Sequence, residues 1–512
     1  MSNSAVKMTK ITKRFGSVVA NIDVDFEILK GEVISLLGEN GSGKTTLMNM
    51  LAGIYYPDEG EIYIEDKLVA IKSPKDAFDN GIGMIHQHFK LIDVFTAAEN
   101  IALGLEEKGK LDLKKIGAKI TEICDKYGFE IDPEQKVYSM SVSQKQTLEI
   151  VKALYRGANT LILDEPTAVL TPQETEKLFA IINNMKADQK SIIIITHKLH
   201  EVLRISDKVV VLRKGAYVDT MLTKDATTSS LTEMMVGEKV ELDIQRTTPK
   251  NLVKRLEVRN LTCYNKDGVL ALDNINFDAF GGEILGITGI SGCGQKELLE
   301  AVAGLQFTDL DSSVKYYPEN TTDEMQLIGK TPKQIRNLGV SLSFVPEDRL
   351  GMGLVGTMGM TGNMMLKDYS KGKSFFTSKK EPKKLATKIK NELEVATPDI
   401  ETPVRRLSGG NVQKVLVGRE IAAAPTVLMT AYAVRGLDIH SSYAIYNLLN
   451  EQKEKGVAVI YVGEDLDVLV ELADRILVLC AGKLNGIVDA RTTTKEEIGL
   501  LMTHLEESEE TK

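Results

Sequence analysis

Glu32-Val-Ile-Ser-Leu-Leu-Gly-Glu-Asn-Gly-Ser-Gly-Lys-Thr-Thr-Leu-Met-Asn-Met-Leu51 reads as strand, glycine loop and helix in succession. Val33, Ile34, Leu36 and Leu37 form a short apolar run suited to a buried strand, and Leu47, Met50 and Leu51 recur at helical spacing. Between them Gly38-Glu-Asn-Gly-Ser-Gly-Lys-Thr45 satisfies G-x-x-x-x-G-K-[ST] in its strand-to-helix setting. A triphosphate must be wrapped by backbone N–H groups, and glycine lets the chain approach without a Cβ clash. The helix that follows aims its positive end at the anion. The loop residues Gly38, Glu39, Asn40, Gly41, Ser42, Gly43, Lys44, Thr45 and Thr46 are therefore the expected nucleotide cradle. Lys44 pairs with the β/γ-phosphates, and the Thr45 hydroxyl is a ligand for Mg²⁺.

Outward from this loop, Phe15 precedes it in Arg14-Phe15-Gly16 and offers a π-face for adenine. Gly81 to Phe89 reads as a strand passing into a loop, with Gln87 at its end placed for Mg²⁺ or the attacking water. Residues from about Leu91 to Tyr138 read as helical, and Met140-Ser-Val-Ser-Gln-Lys-Gln146 opens a further helix. Thr160-Leu-Ile-Leu-Asp-Glu-Pro166 is a buried strand delivering two acids: Asp164 for the Mg²⁺ shell and Glu165 to orient or deprotonate water. The run Ile192 to Ile195 ends in Thr196-His197, whose imidazole at a strand tip suits a γ-phosphate.

After a polar stretch the pattern returns about 250 residues on, which marks a duplication. Tyr264 stands where Phe15 stood, and Gly286 to Lys296 replays the glycine loop with Gln295 for the lysine and Lys296 for the threonine. Val345-Pro-Glu347 replaces the glutamine strand, Ala431-Tyr432 the acid pair, and Glu464 the histidine. The phosphate cation, the Mg²⁺ hydroxyl and both carboxylates are gone, so this second site is not expected to hydrolyse ATP. Leu407-Ser-Gly-Gly-Asn-Val-Gln413 is intact, opening a helix whose amides and Ser408 hydroxyl suit a γ-phosphate. Asp438 lies where the first copy has Thr171.

The order of phosphate loop, glutamine strand, helical insert, serine motif, acid pair and terminal histidine resembles the ATP-binding cassette family, over nearly all of residues 5–240 and again in the second half. That resemblance implies an α/β fold of two tandem P-loop ATPase domains, each with a RecA-like core, an antiparallel β part and a helical subdomain. It also implies head-to-tail pairing, in which ATP is sandwiched between a phosphate loop and a partner's signature. The expected live site thus joins Lys44, Thr45, Gln87, Asp164, Glu165 and His197 to Ser408, Gly409, Gly410 and Asn411, within one chain or between two. Expected boundaries are a first domain at 5–240, a linker at 241–254, a second domain at 255–503 and an acidic tail at 504–512.

One competent and one degenerate cassette resemble the ATPase subunits of bacterial importers for simple sugars and nucleosides. His86-Gln-His-Phe89 looks more like the nucleoside branch; a ribose- or galactose-type importer is the alternative, and a soluble tandem-cassette translation factor a more distant one. Ser143 and Lys145 in the first signature, and Tyr432 for the usual glutamine, depart from the family pattern. The resemblance implies ATP and Mg²⁺ as cofactors, permease subunits docking near Gln87 and Glu347, an extracellular solute-binding protein, and a place on the cytoplasmic face of the membrane. It allows either one tandem chain or a dimer of tandem chains per transporter. Composition agrees with a soluble chain of several domains: 512 residues, 43% hydrophobic, 26% charged. No apolar run of membrane-spanning length or signal segment is present in the sequence. A net charge of −9 argues against a nucleic-acid partner. The four cysteines, none in a C-x-x-C pair, read as reduced thiols.

Overall fold

The computed structural model describes residues 3–503 except 17, 87–88, 106–110, 169, 197, 238–243, 245, 251, 266–267, 291, 320–322, 338–341, 347, 367–377 and 436. Gln87, His197 and Glu347 therefore lie outside the described residues, as does the tail at 504–512. The chain divides into two compact units, Met1–Glu241 and Leu242–Lys512.

In the first unit the strands Val33–Leu37 and Ser191–Ile195 are buried at every position. Both run without polar alternation because helices cover both faces of a parallel sheet. Their sheet runs, in spatial order, Ala216–Leu222, Lys208–Arg213, Val33–Leu37, Ser191–Ile195, Thr160–Asp164, Ile82–Ile85. All neighbours are parallel except the first pair. The long strands Ser4–Phe15 and Val18–Leu29 form an antiparallel portion with Glu59–Ile64 and Lys67–Val69. It joins the parallel core at a single pairing, Ala216 with Ile22.

The second unit repeats the core in the same order: Lys483–Asp489, Arg475–Cys480, Ile284–Gly289, Ala458–Val462, Val427–Ala431, Leu342–Val345. Even the supporting polar contacts recur. Glu32 accepts from the Leu29 amide and pairs with Lys208; Glu283 accepts from the Phe280 amide and pairs with Arg475. A duplicated sequence has kept one topology, because each apolar strand pattern specifies the same neighbours.

In the segment expected to be helical from about Leu91 to Tyr138, the described residues form the helices Ala97–Ala102 and Leu113–Tyr127 and a 3₁₀ turn at Val137–Ser139. Thr96 and Asp112 are the reason for two of the starts, each accepting backbone amides as an N-cap. Between the units, the described part of 241–254 packs on the second one. Ile244 is buried in that unit's core, and Arg246 donates to the Val470 and Ala473 carbonyls at 2.9 and 2.6 Å. Those carbonyls end the Leu466–Leu472 helix, where a cation is favoured. Thr247 O accepts from Lys453 Nζ at 2.6 Å, and the Lys453–Asp474 pair is almost fully buried (1% and 5% exposed). Its first-unit counterpart, Lys186–Asp207, remains 35% and 37% exposed. The strand Val253–Tyr264 then begins.

Candidate active site

Every expected catalytic position of the first unit follows the carboxyl end of a parallel core strand, the place where an open α/β sheet binds ligands. The strand Val33–Leu37 leads into the glycine loop, Thr160–Asp164 into Glu165, Ser191–Ile195 toward His197, and Ile82–Ile85 toward Gln87. Strand order thus makes neighbours of residues more than 150 positions apart in sequence.

The loop is shaped by glycines that no other residue replaces without strain. Gly43 has φ 94°, and a Cβ there would lie 2.4 Å from the Ala20 carbonyl oxygen. At Gly38, with φ 150°, a Cβ would meet the Leu212 carbonyl oxygen at 2.2 Å. The helix Lys44–Leu51 starts at Gly43 with no side-chain cap, leaving its first amides to a ligand. Lys44 Nζ folds back onto the loop, donating to Gly38 O at 2.7 Å and Glu39 O at 2.9 Å. Its ammonium thereby stands at the loop's own carbonyls. Asn40 and Thr45 are exposed, Ser42 is buried, and Glu39 and Thr46 are half-buried.

Three charges meet here. Burial pushes the Lys44 ammonium below its ordinary range, against the opposing pull of Glu165 and Asp164. Burial first, and then the Glu165 carboxylate, push Asp164 up to about 6, with Lys44 opposing. A donor set of the Thr45 hydroxyl and this crowded carboxylate fits Mg²⁺, which takes few protein oxygens and completes its shell with phosphate and water. A dication would relieve the repulsion that raises Asp164. Because the folded value lies above that of an ordinary Asp, this group favours the fold when protonated. Its contribution is full below about pH 3.8 and is lost as pH rises through about 6. Asp164→Asn is accordingly expected to raise ligand-free stability at pH 7.5 by about 1–2 kcal/mol, with no gain at pH 4, while turnover is lost. Thermal denaturation at the two pH values checks it; equal gain at both would show that another cause dominates.

Glu165 takes φ 48°, a left-handed backbone uncommon for a non-glycine residue, fixed by its amide donating to Ile195 O at 2.8 Å. Gln146, from the first signature helix, donates to Pro166 O at 2.6 Å and ties that helix to the acid turn. Phe15 ends its strand 43% exposed and meets Tyr55 edge to face at 5.1 Å, with Lys13 Nζ 5.5 Å from its ring centroid. Sequence reading missed Tyr55. Its one signal is an aromatic pair, Tyr55-Tyr56, directly after the phosphate-loop helix.

The second unit keeps the architecture without the chemistry. Gly294 has φ 99°, and Gln295 Nε2 donates to Ile290 O at 3.0 Å, taking the seat of the Lys44 ammonium without its charge. Tyr432 inherits the left-handed turn of Glu165, with φ 51° and its amide on Val462 O at 3.0 Å. Arg435, at the position of Ala168, lies 6.0 Å over the Tyr432 ring and 3.7 Å from Glu464. Ser408 caps the signature helix Gly409–Ala422, accepting from the Asn411 side-chain amide at 2.8 Å. Gly410 follows in its first turn. Asp438 is itself a helix cap, accepting from Ser441 N and Oγ at 2.7 and 2.9 Å.

Two α/β cores, one with a complete phosphate loop and acid pair and the other with the same frame stripped of both, define a tandem P-loop ATPase. The sequence matches the ABC transporter family over residues 22–168 and again over 272–430. The chain belongs to that family and binds ATP as its cassettes do. It is 41% identical over 509 residues to the nucleoside import ATP-binding protein NupA of Lactococcus lactis, covering 98% of each chain. It is 40% identical to the guanosine import ATP-binding protein NupO of Bacillus subtilis, over 97% of each chain. A ribose import ATP-binding protein of Clostridium tetani is 36% identical over 96% of each.

Proposed function

We propose that this chain is the ATP-hydrolysing subunit of an importer for nucleosides. The observation that carries the reading is full-length similarity to nucleoside and guanosine import proteins, at higher identity than to the ribose import protein. In this reading Lys44 and the loop amides bind the β/γ-phosphates, Glu165 holds the attacking water and accepts its proton, and Gln87 and His197 complete the polar surround. Thr45, Asp164 and Gln87 would hold Mg²⁺, which neutralises phosphate charge. Phe15 stacks on adenine. The Ser408–Asn411 signature is the second cassette's contribution; in this family such a signature serves the phosphate loop of a paired cassette.

No described helix is long and apolar enough to cross a membrane. In this reading the solute crosses through separate permease subunits. They place this subunit on the cytoplasmic face, and an extracellular binding protein delivers solute to them. Uptake of labelled adenosine and labelled ribose, in cells carrying the protein with its permease, tests the reading. Adenosine uptake lost on Glu165→Gln supports it. Loss of ribose uptake alone moves the chain to the sugar importers, and an effect on neither rejects both.

A further inference from the structure

The helical parts of the two cassettes match element by element. In the first, Asn100 accepts from the Ile92 amide at 2.8 Å and donates to the Ile92 and Thr96 carbonyls. In the second, Asn363 accepts from the Val355 amide at 2.8 Å and donates to the Val355 and Gly359 carbonyls. Their helices, Ala97–Ala102 and Met360–Met365, therefore correspond. Seven steps lead from the strand end Ile85 to Ile92 and ten from Val345 to Val355, so the second copy has three more residues there. The next helices, Leu113–Tyr127 and Lys380–Glu392, each precede a 3₁₀ turn and a signature helix. They share a pattern, Lys114-Lys-Ile-Gly-Ala-Lys-Ile120 in one and Lys383-Lys-Leu-Ala-Thr-Lys-Ile389 in the other. Ile120 and Ile389 are both buried. The duplication has thus kept three surface lysines in the copy that lost its phosphate-binding lysine.

The second copy has strengthened the pattern. Lys380 is added one turn earlier, where the first has Leu111, and Asn391 stands where the first has Glu122. Lys380–Glu392 thereby holds five lysines against two glutamates, in a chain of net charge −9. Lys380, Lys383, Lys384 and Lys388, at i, i+3, i+4 and i+8, share one helix face about 12 Å long. The other face carries Ala386 and Ile389 into the core of the second unit. Ile389 meets the signature helix so closely that a Cβ on Gly418 would lie 2.8 Å from its Cγ2. The lysine face is turned to solvent, with all four lysines exposed.

The fold gains nothing from this row. Lys380 with Lys384, and Lys384 with Lys388, are like-charged i, i+4 pairs, which destabilise a helix. Three of the four lie in its N-terminal half, against the macrodipole. Lys384 reaches Glu381 at 2.9 Å and Lys388 reaches Glu392 at 3.7 Å, in pairs at least 60% exposed and so of little worth. Among the described residues no carboxylate forms an ion pair with Lys380 or Lys383. In the first copy the charge is spent internally: Lys119 Nζ lies 4.4 Å from the Tyr155 ring centroid, and Lys126 pairs with Asp188 at 2.7 Å.

We propose that the lysine row of Lys380–Glu392 is a docking surface for the anionic phospholipid headgroups of a membrane. Four to eight cations grouped on one helix face suffice for such a contact. Ammonium groups are point charges that suit a layer of mobile phosphates and need no fixed bidentate geometry. The face has no aromatic residue on which a base could stack, and the acidic remainder of the chain repels an extended nucleic acid. Phospholipid is favoured further by the place at a membrane surface proposed above.

The test uses the full chain without its permease, sedimented with vesicles of about 30% phosphatidylglycerol in phosphatidylcholine. The chain is expected to bind these vesicles, to ignore pure phosphatidylcholine, and to be released as salt rises from about 0.1 to about 0.5 M. Lys380→Gln, Lys383→Gln, Lys384→Gln and Lys388→Gln together should weaken binding at least about 30-fold. The same four positions changed to Arg should bind within about threefold of wild type, because only the charge is required. Melting temperature and ATP turnover in solution should be unchanged in both variants. Lys114→Gln with Lys115→Gln should weaken binding no more than about threefold.

No binding to the anionic vesicles, or equal binding to pure phosphatidylcholine, overturns the proposal. So does full binding by the four-Gln variant, or an equal loss in the first-copy variant, which marks a diffuse charge effect. Tighter binding of a double-stranded oligonucleotide at the same salt, lost in the four-Gln variant, makes the row a nucleic-acid surface and also overturns it. The importer reading stands or falls separately, on uptake of labelled solute.

Discussion

Replacing Glu165 by Gln is expected to lower ATP turnover by about 10²–10³ while ATP still binds. The substitution keeps the size and hydrogen-bonding reach of the side chain and removes only its charge and basicity. Backbone position is held by contacts that do not involve the carboxylate: the left-handed φ of 48° and the amide bond to Ile195 O. What disappears is the group that can take a proton from water beside the γ-phosphate. Glu165 also raises the Asp164 pKa, so its neutralisation should return Asp164 toward an ordinary carboxylate and favour the metal-bound ground state. The variant should therefore accumulate bound ATP rather than lose it. Filter binding and single-turnover hydrolysis on the same preparation separate the two effects. Substantial turnover in Glu165→Gln, with loss of turnover in Tyr432→Ala, would reverse the assignment of live and degenerate cassettes.

The phosphate loop, the acid pair and the duplication were legible because each is a local pattern whose chemistry demands particular residues. Glycine is demanded at Gly38 and Gly43 because a Cβ there would lie 2.2 and 2.4 Å from a backbone carbonyl oxygen, and such positions leave a mark in any sequence. Strand order was not legible from periodicity, since the apolar runs Val33–Leu37 and Ser191–Ile195 look alike as text. The family resemblance implied a RecA-like core without an order, and the order is read from the structure. The packing of Ile244, Arg246 and Thr247 on the second unit was hidden for another reason. Their partners, Val470, Ala473 and Lys453, lie more than 200 residues away, and a polar stretch reads as a tether until its acceptors are known. Only the matching hydrogen bonds of Asn100 and Asn363 reveal that three residues were added between the strand and the helical part. Tyr432 shows the converse: the left-handed turn of Glu165 persists there without the carboxylate, so the backbone frame has outlasted the chemistry it supports in the first copy.

Lys44→Ala should weaken ATP binding by at least about tenfold and reduce turnover by more than about 10², because a charged donor to the β/γ-phosphates is lost from a partly desolvated site. The parallel change Gln295→Ala should leave turnover within about twofold of wild type. Gln295 holds Ile290 O as Lys44 holds Gly38 O and Glu39 O, so both substitutions free carbonyls of a glycine loop, and loop disturbance alone cannot explain a difference between them. The contrast isolates the charge. Moving the lysine across sharpens it: Lys44→Ala combined with Gln295→Lys should stay inactive. The second loop would regain its cation, but Ala431 offers no carboxylate for a metal and Tyr432 no base for water. Steady-state ATPase assays on the three variants, with melting temperatures to confirm folding, decide the matter. Recovery of turnover in the double variant would show that the cation was the only thing the second site lacked, and that Asp164 and Glu165 are not what confines hydrolysis to the first.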